Sequence, residues 1–149
     1  MKRALIVVLL AGGILLSLPA QSNQLVDRML EDEGADVADS AYMVLVSAGA
    51  IDEGASTSDA VEYAREQGWI GDETEGSDTI TFGQLAYFLM EAHGEPGGLM
   101  YRLIPGPRYA AREAVFQQWS VEDRPPGEEI SGSEVLKVLG NFRRARGAE

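Results

Sequence analysis

The chain contains no cysteine, so no disulfide braces the fold and no cysteine is available to carry an N-terminal lipid. It has a single histidine, His93, no cysteine nucleophile, no glycine-bracketed serine of hydrolase type and no paired-histidine metal motif. The common routes to nucleophilic and metal-assisted catalysis therefore lack their residues, and a non-catalytic protein without a cofactor is expected. Period-two alternation over four or more residues is scarce, which argues against strands. Beyond the first 18 residues no apolar run approaches the ~20 needed to cross a bilayer. Positive charge is also short: 12 Lys and Arg stand against 24 Asp and Glu, for a net charge of −12. Such a surface repels nucleic acid and anionic lipid, so neither is an expected partner.

The N-terminus has the parts of a secretory signal peptide over residues 1–22. Lys2 and Arg3 are the charged start, Ala4 to Leu18 the apolar run, and Pro19-Ala20-Gln21-Ser22 the small-residue exit, with cleavage after Ala20 or Ser22. The apolar run is too short for a membrane anchor. Export to the periplasm or cell envelope follows, with residues 23–149 forming one domain whose net charge falls to −14 once Lys2 and Arg3 are removed.

Within that domain Asp59 to Ala92 and Tyr109 to Phe142 align without a gap at a spacing of 50 residues, which superimposes Trp69 on Trp119, the two tryptophans of the chain. Each copy, about 57–93 and 107–143, reads as helix, polar loop, helix. The first helices carry Ala60, Val61 and Ala64, or Ala111, Ala114 and Val115, on one side. The second helices start at Thr81-x-x-Gln84 and Ser131-x-x-Glu134, both capping boxes, preceded by Ile80 and Ile130 in the staple position. Their stripes, Leu85, Phe88, Leu89, Ala92 and Val135, Val138, Leu139, Phe142, follow the i, i+3, i+4, i+7 spacing of a buried helix face. Upstream, Asp36 to Ala48 reads as a buried helix ended by Gly49. A shift of 45 residues sets Ala41-Tyr42 and Gly49 on Ala86-Tyr87 and Gly94, a partial third copy. The expected fold is all-α.

The segment Ala60-Val61-Glu62-Tyr63-Ala64-x-x-x-Gly68-Trp69-Ile70, an acidic loop, and Thr79-Ile80-Thr81-x-x-Gln84-Leu85-Ala86-x-x-Leu89-Met90 resembles an S-layer homology module, with a fainter likeness in the second repeat. Gly97 to Arg102 and Pro105 to Tyr109 are similar to small exported proteins of spirochaetes. The first resemblance implies a helical surface module that attaches to anionic cell-wall polysaccharide, gripped by an arginine just after the Ile-Thr pair. Phe82 and Gly132 stand at those arginine positions here.

Two sets of residues are candidates for binding. Tyr101, Arg102, Arg108, Tyr109 and Arg112 cluster in and after the Gly/Pro-framed apolar loop 94–108, and arginine and tyrosine are favoured at binding hot spots. The loop itself, holding Leu99, Met100, Leu103 and Ile104, is expected to pack into the groove between the repeats. Trp69 and Trp119 are candidates for sugar stacking, weighed against packing of each indole on its companion helix. The acidic loop Glu73 to Gln84 approaches calcium-loop spacing but lacks the turn glycine, where Asp78 stands, and the bidentate carboxylate, where Gln84 stands. The expected role is an envelope binding or structural module whose partner is a cell-wall glycan or an envelope protein. The alternative is a subunit of a periplasmic assembly such as flagellar machinery, and a small carbohydrate-active enzyme ranks last.

Overall fold

The computed structural model describes residues 18–120 and 122–147, with side chains from Asn23. The charged start and apolar run of the expected signal peptide lie outside the described residues up to position 17. The fold is all-α, with helices α1 (Leu18–Glu31), α2 (Val37–Ser47), α3 (Thr57–Glu66), α4 (Phe82–His93), α5 (Leu99–Leu103), α6 (Pro107–Phe116) and α7 (Gly132–Gly147).

Three of these helices, α2, α4 and α7, begin at a common hub. The residue before each N-cap is Ala35, Ile80 or Ile130, each at most 2% exposed. Their backbones close a ring: Ala35 N–H donates to the Ile130 carbonyl at 2.9 Å, Ile80 to Ala35 at 2.8 Å, and Ile130 to Ile80 at 3.2 Å. Burying these peptide groups without partners would be costly, and the ring satisfies all three donors at once.

The helix amides next in line are also satisfied around the ring, in the opposite cyclic sense. The N–H groups of Val37 and Ala38 donate to the Asp78 and Gly76 carbonyls, and those of Phe82 and Gly83 to Glu128 and Pro126. Gly132 N–H donates to Asp32. Each inner helix is thus capped by the loop of the next unit, and the tail of α1 serves as the last loop. Around the hub α3 packs on α2, α6 on α4 and α1 on α7. The helices α1 and α2 therefore occupy a third place in the ring. That place is faint in the sequence because Asp36 replaces the hydroxyl cap and makes no side-chain cap bond. Asp39, at the position whose side chain would reach back in a capping box, is instead buried and gripped by Nε and Nη2 of Arg28 at 2.8–3.0 Å.

Both expected capping boxes form. Thr81 Oγ1 accepts from Gln84 N–H at 3.3 Å while Gln84 Oε1 accepts from Thr81 N–H at 2.9 Å. Ser131 and Glu134 repeat the exchange at 3.3 and 2.8 Å. A third box, Ser56 with Asp59, starts α3. Helices α3 and α6 end identically, with a left-handed residue at Gly68 (φ 72°) and Gln118 (φ 61°). In both, the following tryptophan amide bonds back to an alanine carbonyl, Ala64 or Ala114, at 2.9 and 2.8 Å, as in a Schellman cap.

Each indole meets a phenylalanine of its companion helix. Trp69 lies 6.0 Å from Phe88 and edge-on to Tyr63, and Trp119 sits 4.7 Å from Phe142 at 89°. Trp119 is buried, whereas Trp69 is half-buried. At the far end of the hub His93 ties the three inner helices together. Its ring contacts Ser47 Oγ of α2 at 3.1 Å, accepts from Arg146 of α7 at 2.8 Å and packs on Phe142.

Candidate functional site

The segment 94–108 does not fill a groove between repeats. It folds into the short helix α5, pinned from one side: Tyr101 is 5% exposed, its hydroxyl donates to Glu91, and its ring meets Tyr87 edge-on at 6.3 Å. Burial first, then the hydrogen bond and charge of Glu91, push the Tyr101 phenol well above its ordinary range. Gly97 lets the chain pass beside this ring, since a Cβ there would lie 2.7 Å from it. The opposite face of α5 is open. Leu99, Met100, Leu103 and Ile104, spaced i, i+1, i+4, i+5 and so on one side of the helix, are 73, 45, 67 and 58% exposed. The expectation of a packed plug fails because a single aromatic anchor suffices to hold the loop.

Helix α6 continues the surface. Gly98 lies against Glu113, and one turn beyond Glu113 stands Phe116, 85% exposed. Glu66 occupies the matching position in the other copy, so the solvent-facing slot was legible in the alignment, while the aliphatic row of α5 had the pattern of a core.

Arg108 and Arg112, one turn apart, flank Tyr109 with each guanidinium carbon 5.9 Å from the ring centroid. They border a concavity of about 380 Å³ closed by Asp123, Arg124, Pro125 and Pro126. Arg124 is committed elsewhere, to Glu122 and Glu128 at 2.9 Å and to Glu134. Burial opposes its charge, but the Glu134 hydrogen bond and the three carboxylates outweigh it and raise the guanidinium pKa.

Among the described residues Arg28, Arg65, Arg124 and Arg146 form ion pairs, whereas Arg102, Arg108 and Arg112 have no carboxylate in range. Arg143 and Arg144 are likewise without one, but they lie in the last turns of α7, where a cation complements the helix dipole. Arg108 has no such excuse. It stands in the first turn of α6, directly after Pro107, where the dipole disfavours positive charge and no acidic residue offsets it. The matching helix α3 has Asp59 in that turn.

Of the residues singled out from sequence, Arg108, Tyr109 and Arg112 lie together on α6, and Arg102 is exposed on the neighbouring α5. Tyr101 does not join them: it is turned inward as the anchor. For sugar stacking, Trp119 offers no ring face because it is 1% exposed, and Trp69 is half-buried against Tyr63 and Phe88. The arginine positions of the S-layer homology motif are buried within the hub, at Phe82 and Gly132, as is Val37 of the third unit. A concavity of about 290 Å³ does open between Phe82 and α7, edged by Arg124, Lys137 and Asn141.

Among the described residues no helix is long and apolar enough to cross a membrane. Comparison of the chain with protein-family models, with curated proteins and with solved structures returns no significant match.

Proposed function

We propose that this chain is an exported, non-catalytic binding module of the cell envelope that works by contact with another envelope protein through the α5–α6 face. One observation carries the reading: among the described residues Arg108 and Arg112 form no ion pair although the chain has twice as many acids as bases, and Arg108 stands in the first turn of a helix, where charge of its sign is disfavoured. Their one contact within the chain among those described is with the Tyr109 ring, which leaves their charge free to meet a partner carboxylate. The sole histidine is occupied as a bridge between helices, which supports a binding role over a catalytic one.

The test is retention of the tagged protein by an envelope-protein fraction. Loss of retention in Arg108→Ala/Arg112→Ala, with thermal unfolding unchanged, is the expected result; undiminished retention by the double variant overturns the assignment of the face. A second reading, attachment to cell-wall polysaccharide, rests on the likeness to S-layer homology modules and on the concavity beside Phe82 and Lys137. It is weaker because Arg124, the guanidinium of that concavity, is already held by three carboxylates. Retention on purified sacculi that Lys137→Ala abolishes would favour it.

A further inference from the structure

We infer that the α5–α6 face is the docking site for an acidic amphipathic helix of the partner protein, an inference that rests on the protein-contact reading above. The surface is two-part. Leu99, Met100, Leu103 and Ile104 form an exposed aliphatic row on α5, Phe116 is exposed on the adjoining α6, and the same two helices carry Arg102, Arg108 and Arg112, which form no ion pair among the described residues, although Asp123 lines the recess beside the last two. A ligand that covers both must bring apolar side chains and negative charge at helical spacing, which an acidic helix with an i, i+3, i+4 stripe supplies. Strand addition is not available, because no sheet edge exists among the described residues to receive it. The row is itself a ridge spaced i, i+4 on α5, the geometry into whose flanking grooves a second helix packs.

The other occupants fit less well. Pairing the face with itself in a second copy would bring six arginines together. Setting it on the acidic stretch Asp52 to Asp78 of another copy would press the aliphatic row against charge, since Leu30 is the one large exposed apolar side chain described outside this face. A lipid surface would meet the net charge of −12, and a flat bilayer does not enter the recess beside Arg108 and Arg112, which a carboxylate on a helix can.

The experiment places a photo-crosslinking amino acid in the full-length protein in its native cell, in place of Leu103 and separately of Phe116, with Glu66 as the control position. Crosslinked peptides are then sequenced by mass spectrometry. The expected result is one protein segment reached from both sites and not from the control, acidic and with apolar residues at i, i+3 or i+4. A synthetic peptide of that segment should bind the purified protein and gain helicity by circular dichroism. Its affinity should drop by about tenfold or more with Arg108→Glu/Arg112→Glu and separately with Leu99→Asp, a change at an exposed site that leaves the fold intact. A protein segment that binds without becoming helical overturns the inference and leaves the protein-contact reading standing. Crosslinks confined to lipid or to a second copy, or no crosslinked protein at either site, overturn both.

Discussion

Gln118 is the one non-glycine residue with positive φ among the described residues, and its counterpart in the other copy is Gly68. A side chain in the left-handed region carries strain that glycine escapes. Gln118→Gly should therefore raise stability by about 0.5–1 kcal/mol, and Gly68→Gln should lower it by a similar amount, both read from urea unfolding midpoints. Gly132 is constrained for another reason: a Cβ there would run into the Met29 carbonyl, a backbone atom that cannot rotate away. Gly132→Ala should cost about 2–4 kcal/mol. The same alanine at exposed Gly140, which meets nothing within 4 Å and lies inside α7, should gain about 0.5–1 kcal/mol instead. The role of Gly132 depends on α1, a neighbour far away in the chain, and so could not be read from the residues around it.

At the level of elements, helix starts were the most legible feature, because a capping box is local chemistry confined to four residues. Ser131→Ala should lower stability by about 1 kcal/mol, and Thr81→Ala by a similar amount, measured by chemical denaturation. The Ser131 variant should also show a pH effect. The backbone amide of Ser131, then its hydroxyl and Arg124, hold the Glu134 carboxyl below its ordinary value of 4.5, against an opposing effect of burial. A depressed acid contributes stability that is present above its unfolded pKa and lost as pH falls through the folded one. The slope of stability below pH 4.5 should accordingly be shallower in Ser131→Ala than in the parent. The helix α5 was not legible. Its aliphatic row has core-like spacing, and only the tertiary anchor at Tyr101 decides that this row faces outward.

Across the whole molecule the three inner helices are joined at both ends, by the backbone ring at Ala35, Ile80 and Ile130 and by His93 between Ser47 and Arg146. Arg146 donates to Nδ1, so the neutral ring carries its proton on Nε2 and donates to Ser47 Oγ, which in turn donates to the Val44 carbonyl at 2.7 Å. Protonation of Nδ1 would set two donors against each other. Burial, then the positive charge of Arg146, accordingly depress the His93 pKa below 6.5, while Glu95 pairs with Arg146 on its other side. The unfolded chain then binds the proton more readily than the folded one, so stability is full above pH 6.5 and declines as pH falls through the folded pKa. His93→Gln should flatten the pH dependence of the unfolding midpoint over that window. A slope equal to that of the parent would show that the ring does not sense the proton.

The sequence by itself determined the class of fold, the duplicated helix–loop–helix unit and its capping chemistry, since these rest on periodicity and on contacts within a few residues. Tertiary structure alone decided that α1 completes the third copy that the sequence shows only in part, that Trp119 is sealed while Trp69 is half-covered, and that the row on α5 faces solvent. The physical reason is one of range. A cap or an apolar stripe is written in neighbouring residues, but which face of an element is left uncovered depends on what the rest of the chain packs against it.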